Sequence, residues 1–292
     1  MSAAPKVIAV MKIACALAAA LLLAGCTAMR FAYDNADVYL SWRVGSYVSL
    51  AGDQADDLEE RINAFHAWHR ARALPQYATL AEEAARRLAA GFSPQDLVWG
   101  YDSLEVQARE SLRAGAEKIA PLLDRLGPQQ AANIERGFAE DNRKFARENL
   151  RGSEAERRKQ RAKRAAERLE DWVGSLSQLQ VERVREYSER APLYDELRER
   201  DRKRLQAEFV KLVRSQAAQK RLAEQAVNWR DGRDAAFSAA NDAWREQYSA
   251  MLLDIDKTLS AEQRARAVAR LRRFAEDFTA LAGRADAEPR AR

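Results

Sequence analysis

Cysteine is nearly missing from this chain. The 292 residues hold two, Cys15 and Cys26, both close to the N-terminus, so nothing beyond residue 26 can form a disulfide or act as a thiol nucleophile. Histidine is as scarce, with His66 and His69 the only pair. Glycine (12) and proline (7) are few, which excludes a turn-rich β-sandwich and a collagen-like repeat. There is no Gly-x-Ser-x-Gly elbow and no glycine-rich phosphate loop. Carboxylate pairs are frequent, but on helices such pairs are normally solvated, and none is singled out for glycoside hydrolysis. These absences point away from an enzyme. Charge of one sign is missing too: 49 Lys and Arg stand against 44 Asp and Glu, a balance too even for a nucleic-acid binder.

One long apolar run is present, and it lies at the very start. Lys6 and Lys12 precede an almost unbroken apolar stretch from Ile13 to Leu23, followed by Leu23-Ala24-Gly25-Cys26. A basic region, an apolar core of about a dozen residues and small residues before a cut form a secretory signal, too short to remain as a spanning helix. Met11 begins a more typical signal than Met1. The Leu-Ala-Gly-Cys box resembles the lipobox of bacterial lipoproteins. That resemblance implies diacylglycerol on Cys26, removal of residues 1–25 and acylation of the new amine, which anchors the chain stably to a membrane. Thr27 follows where an aspartate would resemble an inner-membrane retention signal. The implied location is therefore the inner leaflet of the outer membrane, with the folded part facing the periplasm.

Removing 25 residues from 292 leaves 267, enough for one large or two small domains with a real core. Loss of Lys6 and Lys12 brings the basic side chains to 47 against 44 acids, a balance of +3. Ala, Leu, Arg, Glu and Gln dominate what remains, with no sustained alternation of β-branched residues. That composition predicts an all-α, elongated multi-helix bundle built from antiparallel helix pairs.

Helices are expected near 31–50, 53–72, 75–90, 94–119, 128–150, 154–173, 178–190, 192–229, 233–257 and 261–282. Ser93-Pro94-Gln95-Asp96 marks a capped start, and Ser153 with Glu156, Ser177 with Gln180 and Ser260 with Gln263 fit capping boxes. Two apolar stripes are clearest: Phe237, Ala240, Trp244, Tyr248, Met251, Ile255, and Ala267, Leu271, Phe274, Phe278, Leu281. They are expected to pack together as an antiparallel pair. The domain spans 26–282, with a division into two lobes open near Gly152-Ser153, and residues 283–292 form a disordered tail. Pro75 is expected to bend the chain by driving Leu74 out of the helical region.

A short echo recurs at four helix starts: Leu, Gln four later, an apolar residue four later again. Its copies are Leu50/Gln54/Leu58, Leu126/Gln130/Ile134, Leu176/Gln180/Val184 and Leu259/Gln263/Ala267. Spacings of 76, 50 and 83 residues are too uneven for a solenoid. One reading is a staple and cap reused at helix starts. The other notes that Leu-Ser/Thr-x-x-Gln resembles the motif of small periplasmic helical chaperones.

Past Cys26, the run Tyr39-Leu40-x-Trp42-Arg43 to Tyr47, then Gln54, Phe65-His66-x-Trp68-His69-Arg70 and Leu74-Pro75-x-Tyr77, is similar to a family of uncharacterised proteobacterial lipoproteins classed as a domain of unknown function. The resemblance implies a helical lipoprotein and carries over no activity, substrate or catalytic residue. Ala73 stands where that family suggests a glutamate.

His66 and His69, three apart on a helix with Glu59 two turns earlier, are the residues that a metal site would use. Zinc wants three or four protein ligands, so carboxylates would have to complete the shell; no metal and no cofactor is assigned. With Trp68 and Tyr77, the histidines form either a polar cluster between helices or a partner surface. The basic block Arg157-Arg158-Lys159-Gln160-Arg161-Ala162-Lys163-Arg164 sits on a helix with the apolar stripe Ala155, Ala162, Ala165, Leu169, Trp172. It reads as a solvated face balanced by Glu154, Glu156, Glu167 and Glu170, or as a contact for anionic headgroups. Tyr33, Leu40, Val44 and Tyr47 share one face directly after the anchor, which places the folded body near the bilayer. The expected role is a tethered, non-enzymatic interaction or assembly factor for envelope proteins. A chaperone-like binder of unfolded envelope proteins and a metal-binding lipoprotein are the alternatives.

Overall fold

The computed structural model describes residues 29–50 and 52–283. The signal-like segment, Met1, Met11, Cys26 and the expected tail from 284 onward lie outside the described residues. Among the described residues every regular element is helical. Residues 29–34 wind as helix and break at Asn35. Eleven helices follow: α1 (Ala36–Val48), α2 (Asp53–Trp68), α3 (Leu74–Ala90), α4 (Pro94–Leu123), α5 (Pro128–Asn149), α6 (Glu154–Val173), α7 (Gln178–Arg190), α8 (Asp195–Arg214), α9 (Ala218–Val227), α10 (Ala235–Lys257) and α11 (Ala261–Ala282).

The serine caps act as their spacing predicts. Ser93, Ser153, Ser177 and Ser260 each accept from the backbone N–H three residues on, and the Asp, Glu or Gln there accepts from the serine N–H in return. At the first of these, hydrogen bonds from Ser93, then Arg87, hold the Asp96 carboxyl at about 2.

Three boundaries differ from the sequence expectation. Pro75 does not bend the chain out of the helix: Leu74 has φ −59° and ψ −41°. A π-helical segment, His69–Ala73, precedes it, and the Leu74 N–H reaches back to the His69 carbonyl five residues earlier. That wider turn makes room for the proline ring, which in a regular helix would press on a carbonyl of the preceding turn. Helix α4 runs through Pro121 to Leu123, past the expected end at 119. The single helix expected over 192–229 is two, α8 and α9, divided at Gln216 with φ 49°. The division is held from outside, because the Asp124 carboxylate accepts from the Ala218 N–H at 2.6 Å and the Gln219 N–H at 3.1 Å. It supplies from another part of the chain the cap that the local sequence lacks.

The two apolar stripes near the C-terminus do not pair with each other. Helix α10 packs on α7 and α8, whereas α11 lies along α3 and also touches α6. Met251 and Ile255 of α10 meet Val184 and Tyr187; Ala267 and Val268 of α11 meet Ala85, Leu88 and Val173. Periodicity identified the buried faces and not their partners. A further core joins Val48, Leu123, Leu126, Ile134, Val210 and Val213. Helices from either side of Gly152 are thus interleaved: α8 packs on α5, α9 on α4 and α11 on α3.

The four-fold Leu/Gln echo resolves into two clasps. Gln54 and Gln130 exchange hydrogen bonds at 3.4 and 2.6 Å, and Gln180 and Gln263 at 2.9 and 3.1 Å. Each amide also donates to the carbonyl just before the partner's leucine: Gln54 to Arg125, Gln130 to Ser49, Gln180 to Thr258 and Gln263 to Ser175. Each pair therefore joins two helix starts 76 or 83 residues apart. Gln180 has no exposed surface, and its donor and acceptor are both used, as a buried amide requires.

Candidate functional site

Three places in the described chain concentrate chemistry: the histidine cluster, the outer face of the first helices, and a basic cleft beside α6.

Around the histidines, Tyr33 is the hub. Its carbonyl lies 3.1 Å from His66 Nε2 and its hydroxyl 2.8 Å from His69 Nδ1. The π segment turns Arg70 toward the same residue, with the guanidinium 5.0 Å from the Tyr33 ring centre, bonded to Asp34 at 2.5 Å and to the Leu281 carbonyl at 3.1 Å. Trp68 stacks on Phe65 at 5.9 Å, and Tyr77 sets its ring edge-on to His69 and to Phe278 while its hydroxyl meets Ser111 at 3.2 Å. His66, Trp68, His69 and Tyr77 are all half-buried. The sequence grouped these four residues but missed Tyr33, which contacts both imidazoles, since nothing local connects residues 36 positions apart. Burial lowers the pKa of both histidines; Arg70 adds to the effect at His66, and His66 at His69. Burial likewise pushes the Tyr33 hydroxyl up. The cluster is therefore neutral imidazole and phenol at pH 7. Among the described residues no group of three or more His, Cys, Asp or Glu is placed to hold a metal ion, and one nitrogen of each imidazole already faces Tyr33.

On the first helices, Val44 and Tyr47 of the expected common face turn inward and pack on the core. Leu40, expected beside them, is exposed. The break at Asn35, with φ −113° and ψ 13°, separates Tyr33 from the helix that carries Leu40, Val44 and Tyr47. The outward face is strongly apolar: Phe31 is 69% and Trp42 65% exposed, with Val38 and Tyr39 also open to solvent. Tyr39 and Trp42 lie against each other at 6.0 Å. No helix among the described residues is long and apolar enough to cross a membrane.

The basic block of α6 is not simply a solvated face. Arg158 donates to the carbonyls of Ser188, Glu189 and Ala191, and Arg161 to those of Ser188, Ala191 and Pro192. Two cations thus close the C-terminal end of α7, where its carbonyls lack helical partners. Burial lowers the pKa of Arg161. Lys163 pairs with Glu167 at 3.8 Å, and Glu156 is engaged in its cap. Arg157, Arg161, Arg164 and Arg168 follow one another at steps of four, three and four, which is one helical stripe. They line a cleft of about 430 Å³, with Tyr187, Tyr194, Trp244 and Tyr248 on the other walls. The sequence showed the charge but gave no sign that α10 would bring aromatic rings opposite it.

A sequence model described as a family of unknown function (DUF6279) matches residues 46–231. No curated protein and no solved structure matches the chain.

Proposed function

Because the chain belongs to this family of unknown function, which names no activity, we propose from its physical features that it is a membrane-tethered, periplasm-facing helical lipoprotein. In this reading it acts as an interaction or assembly factor for envelope proteins and not as an enzyme. The observation that carries the reading is the set of exposed apolar side chains Phe31, Val38, Tyr39 and Trp42, gathered within twelve residues of chain. Phe31 stands five residues after Cys26, at most about 17 Å of extended chain. Acyl chains on Cys26 would hold these side chains against the bilayer, and Trp and Tyr favour the headgroup level, where a ring is half apolar and half wet. The lipid supplies the anchorage and the exposed aromatic side chains set how the body lies on the surface, with the open apolar positions of α4 left to carry other contacts.

The test has two parts. Cys26→Ser is expected to move the protein from the membrane to the soluble periplasmic fraction; unchanged membrane fractionation overturns the tether. A photo-crosslinker at Val106, an exposed apolar position on α4, is expected to capture one or two discrete envelope proteins. A second reading, a holder of unfolded envelope proteins, is favoured by the exposed Val98, Leu104, Val106 and Leu112 on the same helix. A broad smear of captured proteins, with suppressed aggregation of a denatured client, would select it.

A further inference from the structure

We infer that the cleft beside α6 binds a phosphorylated, ring-bearing ligand of small-molecule size, a phosphosugar. The inference does not depend on the tether proposed above. Six arginines line the cleft, Arg151, Arg157, Arg161, Arg164, Arg168 and Arg198, against three carboxylates. Of those acids, Glu156 is turned to its Ser153 cap. Six guanidinium groups against three carboxylates leave the lining net positive.

The cations divide by what they already hold. Arg161 is bound to main-chain carbonyls and is part of the wall. Arg157 pairs with Glu196 through one amino group, yet its Nε is buried with no hydrogen-bond partner. A buried donor without an acceptor costs about 1–3 kcal/mol, so Arg157 belongs to the wall of the cleft, with one donor left unsatisfied. Arg164 and Arg168, one turn apart on the same stripe, make no hydrogen bond or ion pair among the described residues. Both are exposed. Forked guanidinium groups suit the oxygens of a phosphate, which can take two at once.

The aromatic wall supplies the second half of the ligand. Trp244 and Tyr248 stack on each other at 5.2 Å, and the indole Nε1 donates to the Tyr187 hydroxyl at 2.7 Å. That bond fixes the ring pair in place and uses the indole's donor, so the wall beside the arginines is aromatic and held in position. Aromatic side chains next to unpaired guanidinium groups match a sugar ring carrying phosphate. The volume of about 430 Å³ falls within the range of roughly 300–1,000 Å³ usual for small-ligand sites.

Isothermal titration calorimetry on the full mature chain tests this with glucose 1-phosphate as probe. Glucose 1-phosphate is expected to bind more tightly than inorganic phosphate, and glucose not at all. Arg164→Glu with Arg168→Glu should weaken binding at least tenfold while leaving the circular-dichroism melt unchanged. Lys159→Glu, on the same helix but outside the cleft lining, should leave affinity intact. Vesicles of phosphatidylcholine with phosphatidylinositol 4-phosphate form the second arm. Binding of vesicles with greater affinity than the soluble probe, lost in the same double variant, identifies a lipid headgroup as the source; the reverse identifies a soluble phosphate ester. No heat with glucose 1-phosphate at 5 mM and no vesicle binding overturns the inference. So does a double variant as tight as the parent, equal affinity for glucose 1-phosphate and inorganic phosphate, or a poly-glutamate peptide that binds tenfold more tightly than either phosphate probe.

Discussion

Gln180 shows how much a single amide can hold. It is fully buried, accepts from the Ser177 N–H, donates to the Thr258 carbonyl and exchanges bonds with Gln263. Gln180→Ala leaves those groups without partners in a place water does not reach, and a cost of about 3 kcal/mol is expected. Gln54→Ala, in the more open clasp, should cost about 1 kcal/mol; urea unfolding of the two variants checks the ordering. The histidines offer a residue-scale test of a different kind. In the unfolded chain each imidazole takes up a proton near its ordinary value of 6.5, whereas burial, with Arg70 acting on His66 and His66 on His69, lowers the folded value. Their contribution to stability is therefore complete above pH 6.5 and is lost as the pH falls below it. The melting temperature should drop between pH 7.5 and 5.0, with a smaller drop in a His66→Gln/His69→Gln variant.

At the scale of elements, the structure departs from local propensity where a distant residue intervenes. Ser215-Gln216-Ala217 contains neither glycine nor proline, so nothing in that stretch announces the end of α8. The signal is Asp124, some ninety residues earlier, whose carboxylate caps the first N–H groups of α9. Asp124→Ala is expected to cost about 1–2 kcal/mol and to raise hydrogen exchange in residues 218–227 more than elsewhere. Equal protection in variant and parent would mean that α9 is held by its packing on α4 alone. Pro75 teaches the converse lesson. Its chemistry reads as a break, yet a π segment just ahead of it absorbs the ring and keeps the backbone helical. The same wide turn aims Arg70 at Asp34 and Leu281, so the local irregularity ties three parts of the chain together.

For the whole molecule, the sequence made legible what depends on short range. The all-α class followed from composition and spacing, and the capping serines and the buried faces of α10 and α11 from spacing alone. The partners of those faces did not, because an apolar stripe on one helix fits many others and only the assembled volume decides between them. The same limit applied to the sites. His66, Trp68, His69 and Tyr77 were visible as neighbours on about three turns of chain, but Tyr33, which contacts both imidazoles, came from the helical stretch before Asn35. The arginine block was visible as charge, while its division into carbonyl caps and cleft-lining groups required α7, α8 and α10 to be in place.

The docking of α11 along α3 also has a consequence in time. The two helices are separated by most of the chain, so a polypeptide emerging from its N-terminus exposes the inner face of α3, with Ala85 and Leu88, until the last helix arrives. Contacts of such long sequence separation close late and slow the search for the native state. Folding should therefore finish only once synthesis, or passage across a membrane, is complete. A chain ending at Ser260 is expected to bind a hydrophobic dye and to be cleaved readily within residues 74–90, and a synthetic peptide of residues 261–282 added in trans should restore protection there.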